Sequence, residues 1–239
     1  MASAVTSVGR TADGVVVGGD GVIYRLAPTG WTAIRLAQKG DAVMAAGGRS
    51  IGAIKRQLYS LERQVGGEAQ RLALMPAPVT AMAGGAKATV VLTERGLYRV
   101  EGAKITAVAG APKLTRLVSD RWALVDRGAY DLRAGKTIAW PAGAKVAVAS
   151  AGDDLAAVAT IAGKLELLVI RGGTVDRAPI APDEPAGVAV GVAVDRSGRA
   201  VIALADGRVL VRSGATWTST TVREAFAAAR PGAAPATSR

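Results

Sequence analysis

The chain has 239 residues, half of them apolar but only 4% aromatic, and a formal net charge of +11. That length and apolar content suffice for one fully cored domain, and the charge biases the surface toward anionic partners. Cysteine and histidine are both absent, which excludes disulfides, thiolate chemistry, Ser-His-Asp or Cys-His nucleophiles, and metal sites built on those ligands.

The predicted elements open with the apolar run Val15-Val16-Val17. A glycine-dense stretch, Gly18-Gly19-Asp20-Gly21, then leads into Val22-Ile23-Tyr24-Arg25-Leu26. Because the glycines open onto a strand, they are read as a hairpin turn rather than a phosphate loop. The same phrase returns as Gln57-Leu58-Tyr59-Ser60-Leu61, Gly96-Leu97-Tyr98-Arg99-Val100 and Gly128-Ala129-Tyr130-Asp131-Leu132. These are the only four tyrosines, spaced by 35, 39 and 32 residues. An apolar run precedes each copy: Ile51 to Ile54, Val90 to Leu92 and Trp122 to Val125 for the last three. Alternating apolar, β-branched and aromatic residues with Gly punctuation read as strands joined by tight hairpins. A further run follows each Tyr strand, as at Trp31 to Leu36, Ala69 to Leu74, Ile105 to Val108 and Thr137 to Trp140. Another precedes each hairpin, as at Val79 to Met82 and Leu114 to Val118. Each unit is therefore four short strands in up-and-down order. Two later copies lack tyrosine: Gly163-Lys164-Leu165-Glu166-Leu167, with Leu165 in the Tyr slot, and Gly207-Arg208-Val209-Leu210-Val211, with Val209 there.

The expected division is at 4–40, 41–78, 79–112, 113–143, 144–182 and 183–222, six units of 31–40 residues. A four-stranded unit of that length has the dimensions of a propeller blade. A β-sandwich or barrel with accidental periodicity is the competing all-β architecture. The chain resembles the β-propeller repeat superfamily, in a six-bladed form, over about residues 4–222. Gly96-Leu97-Tyr98-Arg99 and Gly30-Trp31-Thr32 are similar to the short degenerate blades of many bacterial propellers. No Trp-Asp pair and no His are present, so the WD signature is missing, and the Asp-box of sialidase-like propellers is missing too. The resemblance implies a fold and names no subfamily.

Catalytic motifs are sparse. Gly135-Lys136-Thr137 has the end of a phosphate-binding loop, but the required first Gly falls at Tyr130, and Trp140-Pro141 stand where a helix should begin. The adjacent carboxylates Asp153-Asp154 and Asp183-Glu184 lack the alternating oxygen ligands and glycine turn of a calcium loop. The expectation is a protein without catalysis, metal or cofactor of its own. A third reading, a hydrolase with an Asp/Glu pair from different blades, has no residues that the sequence singles out.

Charge is unevenly distributed. The first four units carry +2, +2, +2 and +3, and the last two carry none. Arg56, Arg95 and Arg127 each stand three residues before the Tyr, at the hairpin turn of consecutive units. Connections between units, which leave from the same end of a four-stranded meander, carry Lys39, Lys113 and Lys145. These six cations are the candidate docking face for an acidic macromolecular partner within a larger assembly. The turns at the other end, such as Asp120-Arg121, Asp153-Asp154 and Asp195-Arg196, are of mixed sign. No aromatic residues interleave with the basic arc, so nucleic acid is supported by charge alone. The alternative reading is a lectin-like propeller that stacks a small ligand or glycan on Trp31 and Trp217.

After Val222, Arg223 to Arg230 is helix-prone and contains Phe226, the one phenylalanine, which could dock a short helix in a partner groove. Residues 231–239 have a disordered composition. The opening residues show no secretory pattern and no apolar run reaches the length of a membrane span, so a cytoplasmic location is expected. The Arg-rich, Asn-free composition fits a high-GC bacterial genome.

Overall fold

A computed structural model describes residues 7–11, 14–19, 21–27, 30–38, 42–45, 51–85, 88–180, 187–195 and 198–221. The chain is all-β: the described residues contain no helix, and hence none long and apolar enough to cross a membrane. The helix expected at 223–230, Phe226, the tail and Lys39 lie outside the described residues. Two compact units divide the chain, Met1–Thr137 and Ile138–Arg239.

In the first unit, the first meander is β1 (Ser7–Thr11), β2 (Gly14–Gly18), β3 (Val22–Ala27) and β4 (Gly30–Arg35). The second is β5 (Ala42–Ala45), β6 (Ile51–Ile54), β7 (Gln57–Val65) and β8 (Glu68–Leu74). The third is β9 (Val79–Gly84), β10 (Thr89–Thr93), β11 (Gly96–Glu101) and β12 (Lys104–Ala107). The fourth, β13 (Arg116–Leu117), β14 (Trp122–Val125), β15 (Gly128–Asp131) and β16 (Lys136–Ala139), runs across the division. The second unit holds β17 (Lys145–Ala151), β18 (Leu155–Ile161), β19 (Lys164–Arg171) and β20 (Thr174–Pro179), then β21 (Ala189–Val194), β22 (Ala200–Leu204), β23 (Arg208–Ser213) and β24 (Thr216–Thr221). Strands within each meander pair in sequence order.

Two details depart from the expected pattern. The first two meanders share one eight-stranded sheet through a single parallel bridge, Arg35 with Glu68. Its cause is the length of β7: the β7–β8 hairpin overshoots its neighbours, and the Arg35 amide donates to the Gly67 carbonyl at its tip (3.1 Å). Strand β13 keeps only two residues of the apolar run 114–118. There the chain turns early, because Ser119 Oγ accepts the amides of Arg121 and Trp122 and the Val118 and Ser119 amides both donate to the Trp122 carbonyl.

Cores lie between successive meanders. Ile23 and Ile34 of the first pack with Ile54, Tyr59 and Leu61 of the second. Ile51, Ala53 and Leu58 pack with Val91 and Val100 of the third. Val90 and Leu97 pack with Ala123 and Tyr130 of the fourth. In the second unit, Val158 and Leu167 pack with Val192, Ile202 and Leu210. Adjacent residues such as Val90 and Val91 thus enter different cores, because side chains alternate across a strand. Inner strands are covered on both faces and read as unbroken apolar runs, whereas outer strands such as β12 and β16 are largely exposed.

Three tyrosines make the third residue pair from the turn of their hairpins: Tyr59 opposite Gly52, Tyr98 opposite Val91, Tyr130 opposite Ala123. Their rings pack toward the preceding meander. Tyr59 is 0% exposed and Tyr130 5%, but Tyr24, in the first meander, is 41% exposed. The same count in the β18–β19 hairpin reaches Glu166, opposite Ala159, and corrects the expectation of Leu165. Glu166 makes a two-pronged ion pair with Arg177 (2.8 and 2.7 Å), whose guanidinium holds the carboxyl below the usual glutamate range.

One backbone bond recurs at the exit of the fourth strand. The first residue beyond it donates its amide to a carbonyl just before or at the start of strand three: Leu36 to Gly21 (2.8 Å), Met75 to Arg56 (2.7 Å), Val108 to Leu97 (2.9 Å) and Ile180 to Leu165 (3.0 Å). The donors are apolar and wholly or half buried. The bond brings the exit segment back beside the hairpin turn between strands two and three.

Candidate functional site

That return path builds a cleft in the third meander. Glu94 and Arg95 form the two-residue β10–β11 turn, closed by the Thr93–Gly96 pair. Gly96 has φ +131°, a conformation that a side chain would strain. Thr93 is buried and shapes the turn: its Oγ1 accepts the Arg95 amide (3.2 Å) and donates to the Gly96 carbonyl (3.1 Å). The facing wall is the exit segment, which leaves at Val108, bends at Gly110 (φ +70°) and runs through Pro112 to Leu114. Between them lies a cleft of about 530 Å³. Leu92, Leu97, Val108 and Leu114 supply its apolar lining and belong to, or pack on, the core shared with the fourth meander. Glu94, Arg95 and Lys113 stand exposed on its rim. Among the described residues, neither Arg95 nor Lys113 makes an ion pair.

The structure thus brings together two of the six candidate cations, and treats the others differently. Arg56 occupies the same slot in the second meander, but its Nε donates to the Met75 carbonyl (2.8 Å), which ties the side chain to the exit segment. Arg127, at the equivalent turn of the fourth meander, is 96% exposed and meets only the equally exposed Asp126, at 3.8 Å. A contact that long and that wet contributes little. Lys145 is the exposed first residue of β17, in the second unit.

The two candidate stacking residues also differ. Trp31 in β4 is 57% exposed and pairs across the sheet with exposed Leu26. Trp217 in β24 packs on the second unit's core and donates its indole N–H to the Pro179 carbonyl (2.9 Å). Its ring is fixed by those contacts.

Sequence reasoning missed a charged network at the other end of the fourth meander, where Asp120-Arg121 was read only as a turn of mixed sign. Arg121 Nε and Nη2 both donate to Asp131 Oδ2 (3.1 and 3.0 Å). Asp131 Oδ1 accepts the amides of Arg133 and Ala134 (2.9 and 3.1 Å). Burial raises the Asp131 pKa, but Arg121 and the two amides outweigh it and hold the carboxyl below its usual range. Arg121 also lies 4.9 Å from the ring centre of buried Trp122, and Asp120 pairs with Arg133 at 3.0 Å. The one signal in the sequence is the turn grammar of Asp131 four residues before Gly135. The network is structural and sits away from the cleft.

Comparison with solved structures gives the class of fold. YCF48 bound to D1 peptide aligns with a TM-score of 0.64 at 11% identity, covering 91% of this chain and 81% of that one. Sqt1 of Saccharomyces cerevisiae aligns at 0.60 and 10% identity, covering 92% and 76%. The WD40 β-propeller domain of Doa1 aligns at 0.54 and 11% identity, covering 92% and 83%. The fold is that of a β-propeller. No family model matches the chain, and no curated protein matches it in sequence. At such identities the likeness carries the fold and nothing of the activity.

Proposed function

We propose that this protein is a non-catalytic β-propeller platform that captures an acidic segment of a protein partner on the face bearing the β10–β11 turn. One observation carries the reading: Arg95 and Lys113 are uncommitted cations on a single cleft, while the equivalent Arg56 is tied to backbone. Arg127 stands exposed at the corresponding turn of the next meander. The fold is compatible with such a role, since a propeller of similar structure is described as bound to a peptide. Electrostatic attraction of this kind raises association rate and selects the sign of the partner.

The test is a fluorescence-anisotropy titration with synthetic peptides, acidic and basic, at about 50 mM salt. The double variant Arg95→Glu/Lys113→Glu is expected to lose tenfold or more in affinity for the acidic peptides. A charge-matched control, Arg63→Glu/Lys104→Glu, changes exposed cations at the other end of the same unit. It is expected to bind nearly as the parent does. Equal loss in both variants, or none in either, removes the cleft from the reading.

A further inference from the structure

The cleft is more than a charged rim. Its two cations border a lining of Leu92, Leu97, Val108 and Leu114, and the hydroxyls that reach it are already used. Thr93 Oγ1 is engaged in the turn, and Thr80 Oγ1 donates to the Leu92 carbonyl (3.2 Å). A solvated partner segment needs no such apolar space. At about 530 Å³ the cleft has room for an aliphatic side chain.

We infer that the cleft recognises a bulky aliphatic side chain set between carboxylates: an extended acidic peptide whose central leucine-like residue enters the lining while its flanking acids meet Arg95 and Lys113. The inference rests on the reading of an acidic partner and narrows it to a motif. Charge supplies the encounter, and the apolar residue supplies the discrimination. Glu94, exposed on the same rim, sets a sign rule of its own. It disfavours a carboxylate at its own edge of the cleft.

The experiment compares three peptides of equal length by anisotropy. One has a central leucine flanked by two aspartates on each side, one has alanine in place of the leucine, and one keeps the leucine with asparagine in place of each aspartate. The leucine peptide is expected to bind up to about fiftyfold tighter than the alanine peptide, the full effect of removing three buried carbons. The asparagine peptide is expected to bind weakest. Thr80→Trp then fills the cleft from an exposed strand position that tolerates an aromatic residue. That variant is expected to erase the preference, so that the leucine and alanine peptides bind alike. If leucine and alanine peptides bind alike and both respond to Arg95→Glu/Lys113→Glu, the apolar motif is wrong and the charged face stands. If no acidic peptide binds the parent protein, the acidic-partner reading fails and takes the motif with it. If a single-stranded oligonucleotide binds as tightly as the leucine peptide and competes with it, charge alone is read and the motif is overturned.

Discussion

Arginines in matching positions do unlike work in this chain. Arg56 and Arg95 share a slot, yet one guanidinium caps a carbonyl and the other stands at a cleft. The distinction was not legible, because the partner of Arg56 is a backbone atom 19 residues away with no side-chain signature. Asp131 is the sharper case. It holds Arg121 and two turn amides at once, so Asp131→Ala should destabilise the protein by about 2–4 kcal/mol in denaturant unfolding, as expected when a half-buried pair loses one member. Asp131→Asn keeps an oxygen for the turn and isolates the charge. Since the folded pKa lies below the ordinary 3.8, the charge's contribution is fully present above that value and is lost as pH falls through the folded value. The stability gap between parent and Asp131→Asn should therefore be constant from about pH 5 to 7 and close below about pH 4. A gap that persists at low pH would mean that the ion pair contributes nothing.

At the scale of strands and hairpins, the repeated phrase was largely legible. Four tyrosines at a steady period were enough to place β3, β7, β11 and β15 and their partners, because hairpin pairing is local and the inner strands carry continuous apolar runs. Depth within the phrase was not legible. Tyr24 and Tyr59 hold the same place in the phrase, but Tyr59 is buried in the core shared with the first meander while Tyr24 is exposed. Tyr59→Ala should cost about 3–5 kcal/mol, and Tyr24→Ala under about 1 kcal/mol, measured by chemical denaturation. Similar costs would show that the Tyr24 face is covered in solution. Turns facing each other across meanders were equally hidden. A methyl group added at Gly85 would fall 2.1 Å from Asp120 Oδ2, where that carboxylate holds Arg133. Gly85→Ala should therefore lose about 1–2 kcal/mol. In the background of Asp120→Ala the same change should cost much less, a coupling that a double-mutant cycle reads directly. Strict additivity would show that the two turns do not touch.

For the molecule as a whole, charge is the asymmetry that matters. Of the net +11, residues 1–137 carry +9 and residues 138–239 carry +2. Raising salt from about 50 to about 300 mM should slow association with an acidic peptide far more than it speeds dissociation, as stopped-flow fluorescence would report. Hydrogen exchange with the peptide bound should show protection at the β10–β11 turn and at residues 108–114, and none in β17 to β24. Protection confined to the second unit would move the binding site. Composition announced this bias, but not which cations carry it. Trp217 shows why: whether an indole is available or held against a carbonyl 38 residues away depends on packing that no local pattern encodes. The division into six blades remains a proposal. A four-strand deletion that removes β9 to β12 as one block tests it, with retained cooperative melting expected if the meanders are interchangeable units.

The exit bond bears on how such a chain lengthens or shortens over generations. Donor and acceptor belong to the same meander in each case, from Leu36 and Gly21 to Ile180 and Leu165. A duplicated or lost segment that starts and ends in the connections therefore carries its own latch, although the Arg35–Gly67 bond ties the first two meanders together. Copy number can drift by unequal recombination while the junctions that carry this latch stay closed, and an arginine at a hairpin turn can be copied into a new place before any partner exists to use it.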